Sequence, residues 1–189
     1  MNCLSFDVGG TTVKYGVIDE SYKILKQDKI PTPENENEFI NSLSNIIKEN
    51  LSNISKVSVA MPGYVNSANN KYLYGPHLKF DIDFSNLSNF TDYKFHLDND
   101  GNVAAYCEYI LNYKTKYSNL IMLTFGTGVG GGIISEGRLL RGSGNAGEIG
   151  HMLTSNDREI EGSIQTTYEL VDSNGLLPIR IAEKEYVRA

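Results

Sequence analysis

Cysteine is nearly absent from this chain: Cys3 and Cys107 are the only two in 189 residues. Two thiols do not make a disulfide framework, and neither stands in a CxxC or CxC pair, so a small stapled fold is excluded. Basic charge is short as well, with 17 Lys and Arg against 23 Asp and Glu for a net charge of −6. The basic residues are scattered rather than gathered in a stripe, which argues against nucleic acid as a partner. No apolar run approaches the roughly 18 residues that cross a bilayer. The opening MNCLSFDVGG has neither the charged nor the apolar region of a secretory leader, so the expected location is the cytoplasm. Hydrophobic residues at 40% and charged residues at 21% describe a globular chain, one ordinary domain or two small ones.

What the chain does have is glycine in two separated turns, DVGGTTVK (Asp7–Lys14) and TFGTGVGGG (Thr124–Gly132). In the first, Gly9 and Gly10 let the backbone approach an anion, Thr11 and Thr12 add hydroxyl donors, and Lys14 adds charge. Asp7, at the end of the preceding apolar run, is placed to hold Mg²⁺ through water, because magnesium keeps much of its hydration. The competing reading is a plain hairpin with a surface lysine. The second turn contains a formal GxGxxG at Gly126, Gly128 and Gly131. A dinucleotide site needs a helix directly after those glycines, and here the sequence continues as a strand into a further turn. No GxxxxGK[ST] occurs, which excludes a Walker-type loop. Thr124, Gly126, Thr127, Gly128, Gly130 and Gly131 therefore read as a second phosphate clamp, facing the first across a cleft.

Apolar runs at Cys3–Phe6, Val13–Ile18, Ile24–Ile30 and Lys56–Ala60 read as strands. Glu36–Leu51 places apolar residues at helical spacing. Tyr64–Asp92 shows little periodicity and reads as a long functional loop. Lys94–Leu97 reads as a strand and Gly101–Leu111 as a helix that starts in the polar Asp98-Asn99-Asp100 segment. Asn119–Thr124, Gly132–Ser135 and Arg138–Leu140 complete the strands.

Asp100 at that helix start is either a capping residue or a general base that accepts the proton of an attacking hydroxyl. Asn99 beside it can hold neighbouring hydroxyls. Glu148 and His151, three apart in GEIGH, face the same way if they share a helical turn, and can jointly hold adjacent sugar hydroxyls. Otherwise they are a solvated pair.

Together the motifs resemble the ROK family (repressors, open reading frames and sugar kinases). DVGGTTVK is similar to its first phosphate motif, MPGYV (Met61–Val65) to its sugar loop, DNDGNVAAYCE to its catalytic motif, TFGTGVGGG to its second phosphate motif, and AGEIGHM (Ala146–Met152) to its sugar-binding motif. They occur in family order over residues 1–155. The resemblance implies an α/β, actin-like and ribonuclease-H-like ATPase fold, two lobes around a cleft, with residues 1–116 forming the first lobe and 117–189 part of the second. The order of strands and helix fits that fold. It also implies an ATP-dependent hexose kinase of the cytoplasm using Mg²⁺, with Asp100 as base and Gly63, Asn99, Glu148 and His151 on the sugar. Glu169 in TYEL, one residue out of register, answers to a later sugar-contacting glutamate.

Two features depart from the family. Its zinc-containing members follow GH with a CxCxxxxC cluster, and Thr154–Glu169 holds no cysteine. His151 alone cannot complete a four-ligand site, so no structural zinc is expected, as in the branch that resembles N-acetylmannosamine and β-glucoside kinases. The chain is also shorter than the family's two-lobe size of about 300 residues. The second lobe is therefore expected to be incomplete, which leaves room for a homodimer, a complementing C-terminal half, or a sugar-binding role without catalysis. A repressor of the family requires an N-terminal helix-turn-helix, and the first strand begins almost at Met1.

Overall fold

A computed structural model describes residues 2–75, 77–88, 92–125 and 129–153. Gly126, Thr127, Gly128, Glu169 and the Thr154–Glu169 segment read for zinc lie outside the described residues.

The first three strands form a meander: β1 (Asn2–Val8), β2 (Thr12–Ile18) and β3 (Ile24–Pro31) pair antiparallel in sequence. Helix α1 (Glu36–Asn50) then crosses over, and β4 (Ile54–Met61) returns parallel to β1. The strand β8 (Lys94–Asn99) adds parallel to β4, giving the sheet order β3-β2-β1-β4-β8 expected of a ribonuclease-H-like unit.

Helix α1 forms where its sequence dictates. Asn35 caps it by accepting from the Glu38 amide at 3.0 Å, Glu36 and Glu38 sit in its first turn, and Lys48 in its last, each matched to the helix dipole. Phe39, Leu43, Ile46 and Ile47 make one buried stripe against Leu4, Phe6, Val57 and Val59 of the sheet. The opposite face of β1 and β4 carries small polar groups, including Ser5 and Ser58, whose hydroxyls meet at 2.8 Å.

The segment read as a long loop contains structure. Strands β5 (Tyr64–Asn66), β6 (Lys71–Tyr74) and β7 (Ile82–Asp83) form a small antiparallel sheet, followed by the single-turn helix α2 (Ser85–Ser88). It is held by burial rather than by strand length. Tyr72, Ile82 and Phe84 are almost fully buried, and Phe84 meets Phe39 edge-on at 6.2 Å. These aromatics are spaced too irregularly to show a period in sequence.

Helix α3 (Asp100–Glu108) follows β8 directly and runs into a π-helical turn at Tyr109–Tyr113. A second meander, β9 (Leu120–Phe125), β10 (Val129–Ser135) and β11 (Arg138–Leu139), pairs antiparallel. β10 continues as a strand after the glycine turn, so the helix required for a dinucleotide site is not there.

Candidate active site

The parallel strands β1, β4 and β8 end at one edge of the large sheet. Asp7, Ala60 and Asp98 lie at one level across it, and Met61 pairs with Asn99. The turns that leave these ends therefore converge: Gly9–Gly10 after β1, Pro62-Gly63 after β4, and Asp100 after β8. The carboxyl ends of parallel strands are where open α/β sheets bind ligands.

In the first turn the Gly9 amide bonds the Thr12 carbonyl at 3.0 Å, and the Thr32 hydroxyl donates to the Gly9 carbonyl at 2.7 Å. The Gly9 N–H is thus committed to the turn. Asp7 lies opposite Lys14 in the β1–β2 register, and both side chains are exposed together with Gly10 and Thr11.

Asn99 is the centre of the cluster that the sequence marks as the sugar side. It is buried, and its side-chain oxygen caps α3 by accepting from the Asn102 amide at 3.0 Å. Its Nδ2 donates to the Gly63 carbonyl at 3.0 Å and to Glu148 Oε1 at 3.3 Å. Three residues named from sequence are thereby brought together by one amide. Gly63 has φ +95°, and a side chain there would meet Tyr74 O and Gly75 Cα at 2.6 Å, so only glycine fits.

The cap is Asn99, so Asp100 is the first helical residue and its carboxylate is not spent on capping. Its Oδ1 accepts from the Gly101 amide at 2.8 Å and the side chain keeps a solvent-accessible face. Burial by surrounding protein nonetheless pushes its carboxyl above the usual carboxylate range, the Gly101 hydrogen bond opposes this, the charge of Asp7 adds to it, and His77 also opposes it. Asp7, His77 and Asp100 thus share one electrostatic environment.

Close glycine packing fixes the opposite wall. A side chain at Gly101 would lie 2.6 Å from the Gly131 carbonyl, and one at Gly147 would lie 2.8 Å from it. The start of α3, the glycine strand β10 and the loop before Glu148 are therefore in backbone contact. Thr124 sits opposite Gly130, its hydroxyl 2.7 Å from where a side chain on Gly130 would begin.

Two tethers hold the GNAGEIGH loop. Tyr64 donates its hydroxyl to the Ser143 carbonyl at 3.1 Å, and Arg141 pairs with Asp98 through Nε at 3.1 Å and through Nη2. Asp98 also accepts from Asn102 Nδ2 at 3.3 Å. Glu148 precedes a 3₁₀ turn at Ile149–His151 rather than sharing an α-helical turn with His151, whose amide bonds the Glu148 carbonyl at 3.2 Å.

An open hollow of about 520 Å³ on the flank of α3, beside Tyr106, Cys107 and Arg138, contains neither Asp7 nor Asp100. Asp7 and Asp100 stand at the strand ends instead. Sequence reasoning missed Tyr64, Asp98 and Arg141 as tethers and His77 as a neighbour of the phosphate turn. His77 lies within Tyr64–Asp92, the segment that the sequence marks as a long functional loop.

Residues 3–164 match the ROK family, described by that name. The chain belongs to the ROK family. N-acetylmannosamine kinase of Vibrio cholerae is 33% identical over 158 residues, covering 80% of this chain and 54% of that protein. Glucokinase of Streptomyces coelicolor is 32% identical over 156 residues, covering 79% of this chain and 49% of that protein. Among solved structures, a ROK family glucokinase from Streptomyces griseus in complex with glucose and AMPPNP aligns with TM-score 0.71 and 28% identity, covering 83% of this chain and 52% of that one. The ROK fold expected from the motifs is thereby shown. The chain spans about half the length of the curated relatives it matches.

Proposed function

We propose that this chain carries the sugar side and the first phosphate turn of an ATP-dependent hexose kinase, with 1–116 as the first lobe and 117–189 as part of the second. The observation that carries the reading is the amide of Asn99, which joins Gly63 and Glu148 immediately beside Asp100. One residue thereby links the sugar loop, the GEIGH motif and the candidate base.

In this reading Gly63, Asn99, Glu148, His151 and Glu169 hold the hydroxyls of the sugar. Asp100 accepts the proton of the primary hydroxyl as its oxygen attacks the γ-phosphorus. The Gly10 and Thr11 amides, the Thr11 and Thr12 hydroxyls and Lys14 bind phosphate oxygens from one side, and Thr124 and Gly126–Gly131 from the other. The exposed Asp7 carboxylate fits Mg²⁺ held through water, since it is open to solvent and its negative charge is felt at Asp100. When bound, the ion would neutralise phosphate charge. The named relatives favour glucose or N-acetylmannosamine as substrate, and a β-glucoside shares the same primary hydroxyl.

A second reading is a sugar-binding or regulatory protein, or one half of a split kinase. It rests on the sugar side alone, represented by Gly63, Asn99, Glu148 and His151. A coupled ADP-release assay over a sugar panel, run beside Asp100→Asn, separates the two. Sugar-dependent turnover that the variant loses while still binding sugar supports the kinase. Sugar-dependent thermal stabilisation without turnover supports the second reading, and absence of both removes each.

A further inference from the structure

His77 belongs to none of the motifs, yet it lies over the first phosphate turn. A side chain on Gly10 would begin 2.9 Å from His77 Cβ and Cγ and 3.1 Å from Nδ1, so the imidazole is laid across the bare face of that glycine. The ring is exposed, and among the described residues it makes no side-chain hydrogen bond.

Its backbone is anchored on both sides. Leu78, the next residue, is 4% exposed, and its carbonyl accepts from the Tyr72 hydroxyl at 3.4 Å. Tyr72 is itself fully buried. Gly75, two residues before, is pressed against the sugar loop: a side chain there would meet the Pro62 carbonyl at 2.5 Å and the Tyr72 hydroxyl at 2.4 Å. The Gly63 carbonyl of that same loop accepts from Asn99. A continuous set of contacts therefore runs from the candidate sugar residues, through Gly63, Gly75 and Leu78, to His77 and then to Gly10. The imidazole stands where the phosphate side of the cleft meets the sugar side. Two carboxylates, Asp7 and Asp100, border the same space, and a negatively charged phosphoryl group entering it needs a compensating donor.

We propose that His77 is a further catalytic residue that donates a ring N–H to the phosphoryl group as it passes from nucleotide to sugar. The proposal rests on the kinase reading above. The sugar oxygen–phosphorus bond forms while the bond from phosphorus to the bridging oxygen breaks. The hydroxyl proton goes to Asp100, the nucleoside diphosphate leaves with the bond's electron pair, and the imidazole keeps its own proton throughout. His77 thus stabilises charge and exchanges nothing.

The test compares the chain with His77→Ala and His77→Gln. In the ADP-release assay, His77→Ala should lower kcat by about 10²–10³-fold, as for loss of one preorganised donor, and leave the sugar KM within about twofold. His77→Gln, which keeps an N–H, should retain more activity, and added imidazole should partly restore His77→Ala. Tripolyphosphate with Mg²⁺, titrated by calorimetry, gives a readout that needs no turnover, and His77→Ala should bind it more weakly than the parent chain. Unchanged kcat and unchanged tripolyphosphate affinity, in a chain that still binds sugar and nucleotide, would overturn the role of His77 and leave the kinase reading intact. Losses shared equally by both variants, together with a lowered melting temperature and no imidazole rescue, would overturn it as a merely structural effect. A parent chain that binds neither sugar nor polyphosphate would remove the kinase reading and the proposal with it.

Discussion

Burial holds the Asp100 carboxyl above the usual carboxylate range, and Asp7 pushes it the same way. A carboxyl whose folded-state pKa is raised is penalised in its ionised form. That penalty is present above the folded pKa and vanishes below the unfolded one. Asp100→Asn should therefore melt no lower than the parent chain at neutral pH, with any advantage disappearing on acidification through the carboxylate range; thermal melts across pH read this directly. If the kinase reading holds, the same variant should lose about 10²–10⁴-fold in sugar-dependent turnover, so stability and activity move apart at one residue. A clear loss of stability at neutral pH would instead mark Asp100 as structural. Asn99 makes the opposite case, because its oxygen caps α3 while its nitrogen serves Gly63 and Glu148. Asn99→Ala should cost about 1–3 kcal/mol in denaturant unfolding, from the cap and the orphaned Gly63 carbonyl. Asn99→Asp keeps an acceptor for the cap but sets a second carboxylate against Glu148, so it should recover part of the stability and, if the kinase reading holds, none of the sugar binding. The polar run Asp98-Asn99-Asp100 was legible as a helix start, being a local matter of caps. That the cap also bridges to Glu148 depends on a contact between residues 49 apart and had no local signature.

At the scale of elements, α3 lies on β10 because both surfaces lack side chains where they touch. A side chain at Gly132 would begin 2.4 Å from Ala105 Cβ and 3.0 Å from the Gly101 carbonyl. Gly132→Ala should therefore push α3 from the strand and cost about 1–3 kcal/mol, since a close-packed contact has no room to absorb a methyl group. Ala105→Gly in the same chain removes the nearer obstacle and should restore part of that loss, at the price of a helix-interior glycine. A double-mutant cycle on chemical denaturation gives the coupling, and additivity within about 0.5 kcal/mol would show that the two residues do not meet. Gly126, Gly128, Gly130 and Gly131 of TFGTGVGGG read from sequence as phosphate ligands, and Gly132 follows them in the strand. For Gly131 and Gly132 the observed neighbours are α3, Gly147 and Ala105, so packing alone is enough to require glycine at those two positions. The strands of the large sheet and α1 were visible in sequence because each carries its own period, with Phe39, Leu43, Ile46 and Ile47 spaced for one helix face. β5, β6 and β7 were not, since strands of 3, 4 and 2 residues are too short to show alternation. They are held instead by burial of Tyr72, Ile82 and Phe84 in the core they share with α1, where Phe84 meets Phe39.

Across the whole molecule the two meanders are built alike and differ in what borders their first strand. β1 has both edges filled, by β2 on one side and β4 on the other, whereas among the described residues β9 pairs only with β10. Among the described residues the other edge of β9 carries exposed apolar side chains, with Ile121 56% exposed and Phe125 45%. An open edge of unpaired backbone groups flanked by such residues is a surface on which another strand can add. The chain at rising concentration should therefore self-associate, and sedimentation velocity measures the onset. The double substitution Ile121→Lys with Phe125→Lys puts like charges along that edge and should hold the protein monomeric, while the circular dichroism of the large sheet and α1 stays unchanged. The large sheet has its own core, independent of β9, so the variant tests the edge and not the fold. A parent chain that stays monomeric at every concentration would show that the β9 edge is already covered. Association that persists in the double variant would place the contact elsewhere, with the exposed tyrosines Tyr22, Tyr74 and Tyr117 the next surface to substitute.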